Sequence, residues 1–328
     1  MKILIQTPSN SPGSVGDEAL VYSLIDTLIK KGINKNNLAM LNYNIYNIEL
    51  EENCEDNIDK YACLIFFGND CISYYRLRDQ YMNIFVKNNK KVFMINNSYG
   101  ETVNIKNTSR LTNLFNNKNI FCYSRDIYSL VSLNKSFEFK NPCNLCSDMA
   151  FLLDENSDIG KYDYLYKLIK KKKEELNKII IVNLHKNVRS KTLRKNILNI
   201  VKRNNKKTFY IFLSHDTRSG ELSLMREEIM DAKLENEINK SIIICDVLPA
   251  KIESFIIKNV DLVLTCRMHL AIIALSQAIP CIAFAYNGYK MKGTFRWLNI
   301  ENLVLDKNIY NKLDKLYDIF NHVNNNLL

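Results

Sequence analysis

No apolar run in this 328-residue chain reaches the ~18 residues that a membrane-spanning helix needs. The opening residues, Met1 to Gln6, form an apolar run too short for the core of a secretory signal, and they read as a first strand. These two absences set the expectation of a cytoplasmic protein. Glycine is scarce, at nine residues. The first strand-to-helix turn holds Gly13 and Gly16 but lacks the G-x-G-x-x-G spacing of a dinucleotide fingerprint, and it also lacks the lysine of a phosphate-binding P-loop. Cys143 and Cys146 make a single C-x-x-C pair with no second pair at zinc spacing, so a structural role is expected and no metal site. The other cysteines fall mostly inside apolar strands, where a free thiol behaves as a small hydrophobe. No basic stretch interleaved with aromatics appears, which argues against nucleic acid as a partner. No repeat or low-complexity tract stands out.

What the chain does have is alternation. Strand-type runs sit at residues 3–6, 63–67, 92–96, 120–123 and 144–147, then at 179–183, 208–213, 242–245, 262–265 and 281–286. Helical patterns lie between most of them, for example at 18–31, 74–88 and 192–203. Such alternation predicts parallel sheets with helices on both faces. The polar segment from Asp154 to Asp163, which contains Gly160, is the best linker. It divides the chain into an α/β domain over 1–154 and a second over 155–306. A short strand after Asn299 and a terminal helix over 310–328 follow, and this 307–328 segment is expected to pack back across the halves.

The net charge is +10, from 45 Lys and Arg against 35 Asp and Glu. Lysine-rich solvated faces account for it, and so does attraction to acidic partners such as phosphorylated small molecules or anionic headgroups.

The densest signal runs from Val260 to Tyr286. An apolar strand stops at Thr265, an apolar segment of helical length follows, and a second apolar run opens at Pro280. This is a β–α–β unit from the middle of a sheet covered on both faces. Arg267 and His269 fall at its strand-to-helix turn. Ligands of open α/β sheets bind outside the carboxyl ends of the strands. A helix start adds unpaired N–H groups and a positive dipole end, so Arg267 and His269 mark a phosphate or carboxylate site.

Other strand ends offer further candidates. Ser14 and Asp17 fit a capping box at the start of the first helix; Asp17 either complements the helix dipole or takes part in binding or acid–base work, and Gly16 allows close backbone approach. Asn69 and Asp70 end the second strand-type run. Arg125 is either an anion contact or a partner for Asp126. His185 and His215 follow two strands of the second half and are expected at the crevice of Arg267 and His269. Lys290, in a loop with Gly288 and Lys292, is an anion contact or part of an ordinary exposed loop.

Gly16-Asp17-Glu18-Ala19, Ser124-Arg125-Asp126 with Ser129, Ser147-Asp148-Met149-Ala150-Phe151 and above all Arg267-Met268-His269 with Gln277, Pro280 and Lys290 resemble the polysaccharide pyruvyl transferases. The motifs occur in that family's order from about residue 13 to residue 298. The resemblance implies a GT-B-like fold, two Rossmann-like domains facing each other across a cleft, with the acceptor on the first and the donor on the second. It implies transfer of the enolpyruvyl unit of phosphoenolpyruvate to a saccharide acceptor, on a cell-surface polysaccharide or its lipid-linked precursor, to give a pyruvate ketal. Carried over, Arg267 binds the carboxylate or phosphate of phosphoenolpyruvate and His269 contacts the phosphate or acts as general acid. Beside these, Asp17 is expected to help deprotonate the acceptor, and Gly16, Asn69, Arg125, His185, His215 and Lys290 are expected to contact the substrates. No cofactor and no metal is expected. A lipid-linked acceptor implies a peripheral contact with the inner face of the cell membrane. The chain departs from the family at Gly68-Asn69-Asp70 and at Asn97-Ser98-Tyr99-Gly100, where glycine-rich turns are usual. Two other functions fit the same fold: a glycosyltransferase using a nucleotide sugar, and a non-catalytic family member in glycan assembly.

Overall fold

The computed structural model describes residues 1–7, 13–41, 46–67, 79–98, 111–155, 158–176, 178–185, 190–285 and 289–326. The chain forms two parallel sheets. The first holds β1 (Lys2–Gln6), β2 (Leu38–Leu41), β3 (Glu49–Leu50), β4 (Tyr61–Phe67), β5 (Lys91–Asn97), β6 (Ile120–Ser124) and β7 (Asn144–Leu145) in the order β3-β2-β1-β4-β5-β6-β7. The second holds β8 (Lys178–Asn183), β9 (Thr208–Leu213), β10 (Ile242–Cys245), β11 (Leu262–Thr265), β12 (Cys281–Phe284) and β13 (Val304–Leu305) in the order β10-β9-β8-β11-β12-β13. In each sheet the chain builds outward from its first strand, then returns to that strand's other side and builds the opposite way. The reversal lies between β1 and β4 in one sheet and between β8 and β11 in the other. That is the doubly wound order of a Rossmann-like unit.

The sequence explains the layers. Strand β8 is a continuous apolar run and is buried along nearly its whole length, as a strand covered on both faces must be. The helix Lys191–Asn204 carries Leu193, Ile197, Ile200 and Val201 on one buried stripe, and the Ser190 hydroxyl caps it by accepting the Leu193 N–H at 3.1 Å. The helix Met268–Ser276 is apolar almost all round and buries Leu270 through Ala274. The first unit has its own core, in which Leu4, Leu64, Phe66, Met94 and Phe115 meet.

The chain splits into two compact units whose bounds differ from the contiguous domains expected. One comprises Met1–Pro12, Leu20–Met149 and Arg296–Asn299; the other comprises Gly13–Ala19, Ala150–Phe295 and Ile300–Leu328. Residues 13–19 belong to the second unit because their backbone bonds there. Val15 N–H donates to His215 O at 3.2 Å and Thr217 N–H donates to Gly13 O at 2.9 Å. The terminal helix, Leu313–Asn326, falls in the second unit. Its buried Leu316, Phe320 and Val323 join Leu193, Ile197 and Val201 in the second unit's core, so apolar packing within that unit places it.

The cysteines described are free thiols. Burial pushes Cys266 up to about 12 and Cys146 up to about 11, which leaves little thiolate at neutral pH. Among the described residues, no group of three or more His, Cys, Asp or Glu is arranged to hold a metal, and no helix is long and apolar enough to cross a membrane.

Candidate functional site

The second sheet reverses between β8 and β11, and the residues after these strands and after β9 converge at their carboxyl ends. Asn183 closes β8 and pairs in register with Thr265, the last residue of β11. The Asn183 amide donates to Leu213 O and to Glu221 Oε2, both at 3.0 Å, which ties the ends of β8 and β9 together. The Thr265 hydroxyl accepts the Arg267 N–H at 2.8 Å and so fixes the turn into the helix Met268–Ser276.

Arg267 occupies the N-cap of that helix, with extended backbone and no side-chain cap. Its Nε donates to Glu221 Oε1 at 2.5 Å and its Nη2 to Asp216 Oδ2 at 3.3 Å. Nη1 has no hydrogen-bond partner among the described residues, and the side chain keeps 19% exposure. One guanidinium edge is therefore held by protein carboxylates and the other is open. Glu221 is fully buried and also accepts the His215 N–H at 2.7 Å. His185 Nε2 stands 3.9 Å from Glu221 Oε1.

Asp216 links this group to Arg218, accepting from its Nε at 3.1 Å and its Nη2 at 3.2 Å. Burial works to raise the Asp216 carboxyl, but the hydrogen bonds from Arg218 and the positive charge of Arg267 outweigh it and hold the group below its usual range. Arg218 Nη2 lies 3.7 Å from Asp17 Oδ2. Asp17 thus enters as one carboxylate of a chain that alternates with arginines. Its N–H meets the Ser14 hydroxyl at 3.3 Å, which is the half of the expected capping box that forms.

The two glycines of the first turn lie against side chains of the same unit. A Cβ on Gly16 would stand 2.1 Å from His269 Nδ1, so the bare backbone makes room for the imidazole. Gly13, at φ +125°, sits where side chains are strained, and a Cβ there would meet Thr217 Oγ1 at 2.3 Å.

Deeper in the unit, His215 Nδ1 lies 2.9 Å from Glu253 Oε1, with both side chains buried. His215 Nε2 and Glu253 Oε2 are buried and have no hydrogen-bond partner among the described residues. Glu18 approaches from the helix Val15–Lys30 and accepts the Ala250 N–H at 3.0 Å. Burial raises its carboxyl above the usual range; the Ala250 bond opposes this and the neighbouring Glu253 adds to it.

The structure therefore brings Arg267, His269, Gly16, Asp17, His185 and His215 into one unit around the end of the second sheet. Lys290 is the second residue of the helix Tyr289–Trp297 after β12, and burial pushes its amine down to about 8. Arg125 lies in the first unit and pairs with Asp148, not with Asp126. Its Nη1 meets Asp148 Oδ2 at 3.0 Å and its Nε donates to Ser98 Oγ at 2.7 Å, all three residues being buried. Asp126 instead caps the helix Ile127–Ser136 through the Ser129 N–H at 2.8 Å. Asn69 lies outside the described residues. Glu221 and Glu253 were not visible as site residues in the sequence. Each sits in the first turn of a helix, where an acid ordinarily just complements the dipole.

The chain matches the family model described as polysaccharide pyruvyl transferase over residues 15–288. No curated protein matches it. Among solved structures, it is similar to Anabaena HepE in complex with UDP and glucose, with a TM-score of 0.61 at 10% identity over 99% of this chain and 89% of that one. It is also similar to a glycosyltransferase from Rickettsia africae, with a TM-score of 0.61 at 12% identity over 98% and 87% of the two chains. UDP-GlcNAc 2-epimerase from Methanocaldococcus jannaschii gives 0.60 at 14% identity over 99% and 93%. At such identities the likeness shows the fold alone, a GT-B-like pair of Rossmann-like units.

Proposed function

This chain belongs to the polysaccharide pyruvyl transferase family, and on that premise we propose that it moves the enolpyruvyl group of phosphoenolpyruvate onto a saccharide of a cell-surface polysaccharide or its lipid-linked precursor. The observation that carries the reading is the open Nη1 edge of Arg267 at the start of the helix Met268–Ser276, at the point where the second sheet reverses. The first N–H groups of that helix have no partners within it, and they face the same end of the sheet. A small, strongly anionic donor fits a forked cation beside such a helix start.

The reaction consumes one phosphoenolpyruvate and two hydroxyls of the acceptor. A proton adds to the methylene carbon and leaves an oxocarbenium-like centre at C2. One hydroxyl oxygen bonds to C2, the C2–O bond to phosphate breaks, and the second hydroxyl closes the ketal. Of the two hydroxyl protons, one balances the new methyl group and the other leaves with phosphate. In this scheme Arg267 holds an oxygen of the phosphate or carboxylate, and His269 handles the phosphate-side proton. Asp17, 3.7 Å from Arg218 Nη2, draws on the acceptor hydroxyl. Lys290 adds a cation that is partly neutral near pH 8. The scheme asks for no cofactor and no metal. A lipid-linked acceptor would bring the protein to the inner face of the cell membrane.

Calorimetric titration tests the reading. Phosphoenolpyruvate is expected to bind the protein, and Arg267→Ala is expected to weaken that binding at least tenfold. The fold is shared with structures that hold UDP and glucose, so a panel of nucleotide sugars belongs in the same experiment. Affinity for one of them, with none for phosphoenolpyruvate, would move the reading to glycosyl transfer.

A further inference from the structure

Arg218 is a second forked cation beside Arg267, and the scheme above gives it no contact with a substrate. The two arginines follow β9 and β11, the strands that flank β8. One carboxylate oxygen joins them. Asp216 Oδ2 accepts from Arg218 Nη2 at 3.2 Å and from Arg267 Nη2 at 3.3 Å. At these nitrogens the two guanidinium groups can be no further apart than those two distances laid end to end. Like charges this close repel, and the shared carboxylate offsets the repulsion.

Arg218 is held in place before any ligand arrives. Asp216 takes its Nε and Nη2 with both carboxylate oxygens, and Asp216 Oδ1 also accepts the Arg218 N–H at 2.9 Å. The loop that carries them is fixed in turn. Thr217 N–H donates to Gly13 O at 2.9 Å, Val15 N–H donates to His215 O at 3.2 Å, and the Ser219 hydroxyl donates to Asp216 O at 2.9 Å. A long side chain ordinarily loses rotamer freedom on meeting a ligand, and one already held loses less. The Arg218 side chain keeps 42% exposure, beside 19% for Arg267, so both guanidinium groups can be reached from solvent. A lone phosphate calls for one such cation at a helix start. Phosphoenolpyruvate carries two anionic groups on C2, a phosphate ester and a carboxylate. Arg267 stands at the first turn of the helix Met268–Ser276, whose leading N–H groups suit the phosphate. The carboxylate then falls to the neighbouring fork, whose planar geometry matches it.

We propose that Arg218 is a donor-binding residue that takes the carboxylate of phosphoenolpyruvate while Arg267 takes its phosphate, so that the pair selects a phosphate ester with a carboxylate on the same carbon. The inference rests on the reading of phosphoenolpyruvate as donor. Asp216 is a positioning residue in this account: it sets the spacing of the two forks and does not touch the donor. Asp17 Oδ2 lies 3.7 Å from Arg218 Nη2. The cation that holds the donor thus also neighbours the carboxylate that the scheme assigns to the acceptor hydroxyl. No covalent bond forms or breaks in this step.

Ethyl phosphate carries the phosphate ester without the carboxylate and serves as the comparison ligand. Calorimetric titration, with competition against phosphoenolpyruvate where binding is weak, gives both affinities. The wild type is expected to prefer phosphoenolpyruvate by about tenfold or more, as one charge-assisted contact supplies. Arg218→Gln should remove most of that preference, weakening phosphoenolpyruvate far more than ethyl phosphate. Arg218→Lys keeps the charge and loses the fork, so it too should lose most of the preference. The preference is a ratio of two ligands on one protein, so a variant that merely disturbs the loop lowers both affinities and leaves the ratio. Equal losses for the two ligands, or a preference kept in Arg218→Gln, overturn the inference. If Arg267→Ala still weakens phosphoenolpyruvate in that case, the donor reading stands. A lysine variant with the full preference reduces Arg218 to a nearby charge and overturns the forked contact. Absence of phosphoenolpyruvate binding in the wild type overturns the donor reading and the inference with it.

Discussion

Gly16 and His269 compete for one space: a Cβ on the glycine would stand 2.1 Å from Nδ1 of the imidazole and 2.7 Å from its Cγ. The first helix and the helix Met268–Ser276 are far apart in sequence, yet the position of one ring depends on the absence of one methyl group. Gly16→Ala is therefore expected to displace His269. Overpacking of this kind costs about 1–3 kcal/mol of stability, while a reacting group shifted by about 1 Å loses roughly 10²-fold in rate. Turnover measured beside a thermal melt checks this. Near-normal turnover in a folded Gly16→Ala protein would contradict the role given to His269.

Glu221 serves three partners at once: Arg267 Nε, the Asn183 amide and the His215 N–H. Removing a fully buried carboxylate leaves these donors without an acceptor. Glu221→Ala is expected to lower stability by about 3 kcal/mol, within the range for breaking a buried ion pair. Urea unfolding measures it. Glu221→Gln keeps an acceptor for two of the three donors and should lose clearly less.

In the first unit, the Arg125–Asp148 pair has side-chain exposures of 1% and 0%. Breaking a pair this deep by Asp148→Ala should cost about 3–5 kcal/mol, because the buried guanidinium loses the carboxylate that it meets at 3.0 Å. Replacing both with apolar residues of similar volume, Arg125→Met with Asp148→Leu, should recover most of it. Denaturant unfolding of the single and double variants forms the test. A single variant as stable as the wild type would mean that the pair has no structural weight.

Lys290 predicts a pH dependence of known sign. Burial depresses its amine to about 8 from an ordinary 10.5. Between those values the unfolded chain binds more protons than the folded one at this site, so its contribution to stability is least favourable below about pH 8 and improves as pH rises toward 10.5. Lys290→Met should remove that rise and should stabilise the fold at pH 7. If Lys290 also holds the donor, affinity for phosphoenolpyruvate in the wild type should fall as pH rises through about 8, and in the Met variant it should be weaker and flatter. Melting curves and titrations at pH 7 and 9 read both effects.

Much of this arrangement was legible in the sequence, for identifiable reasons. Apolar runs of strand length bounded by polar turns placed β1, β4 and β8 through β12 closely, and the polar residues just past their ends gave Arg267, His269, His185 and His215. Strand β2, Leu38–Leu41, was not legible, since four buried apolar residues without alternation carry no period that separates strand from helix. The grouping of residues 13–19 with the second unit was hidden because it rests on backbone bonds to His215 and Thr217, far away in sequence. Glu221 and Glu253 stayed hidden for a different reason. An acid in a first helical turn looks the same whether it faces solvent or a buried arginine or histidine. Arg125 shows the limit of adjacency: Asp126 is its neighbour in the chain, but the helix that follows claims Asp126 as a cap, and Arg125 finds Asp148 instead.

The most direct test is a crystal structure of the protein saturated with phosphoenolpyruvate, read for the distance from Arg267 Nη1 to the nearest ligand oxygen. The account predicts a phosphate or carboxylate oxygen at about 3 Å from Nη1, with the first N–H groups of the helix Met268–Ser276 turned toward the same anion. Phosphoenolpyruvate bound elsewhere, with the Nη1 edge of Arg267 unoccupied at saturation, would contradict it.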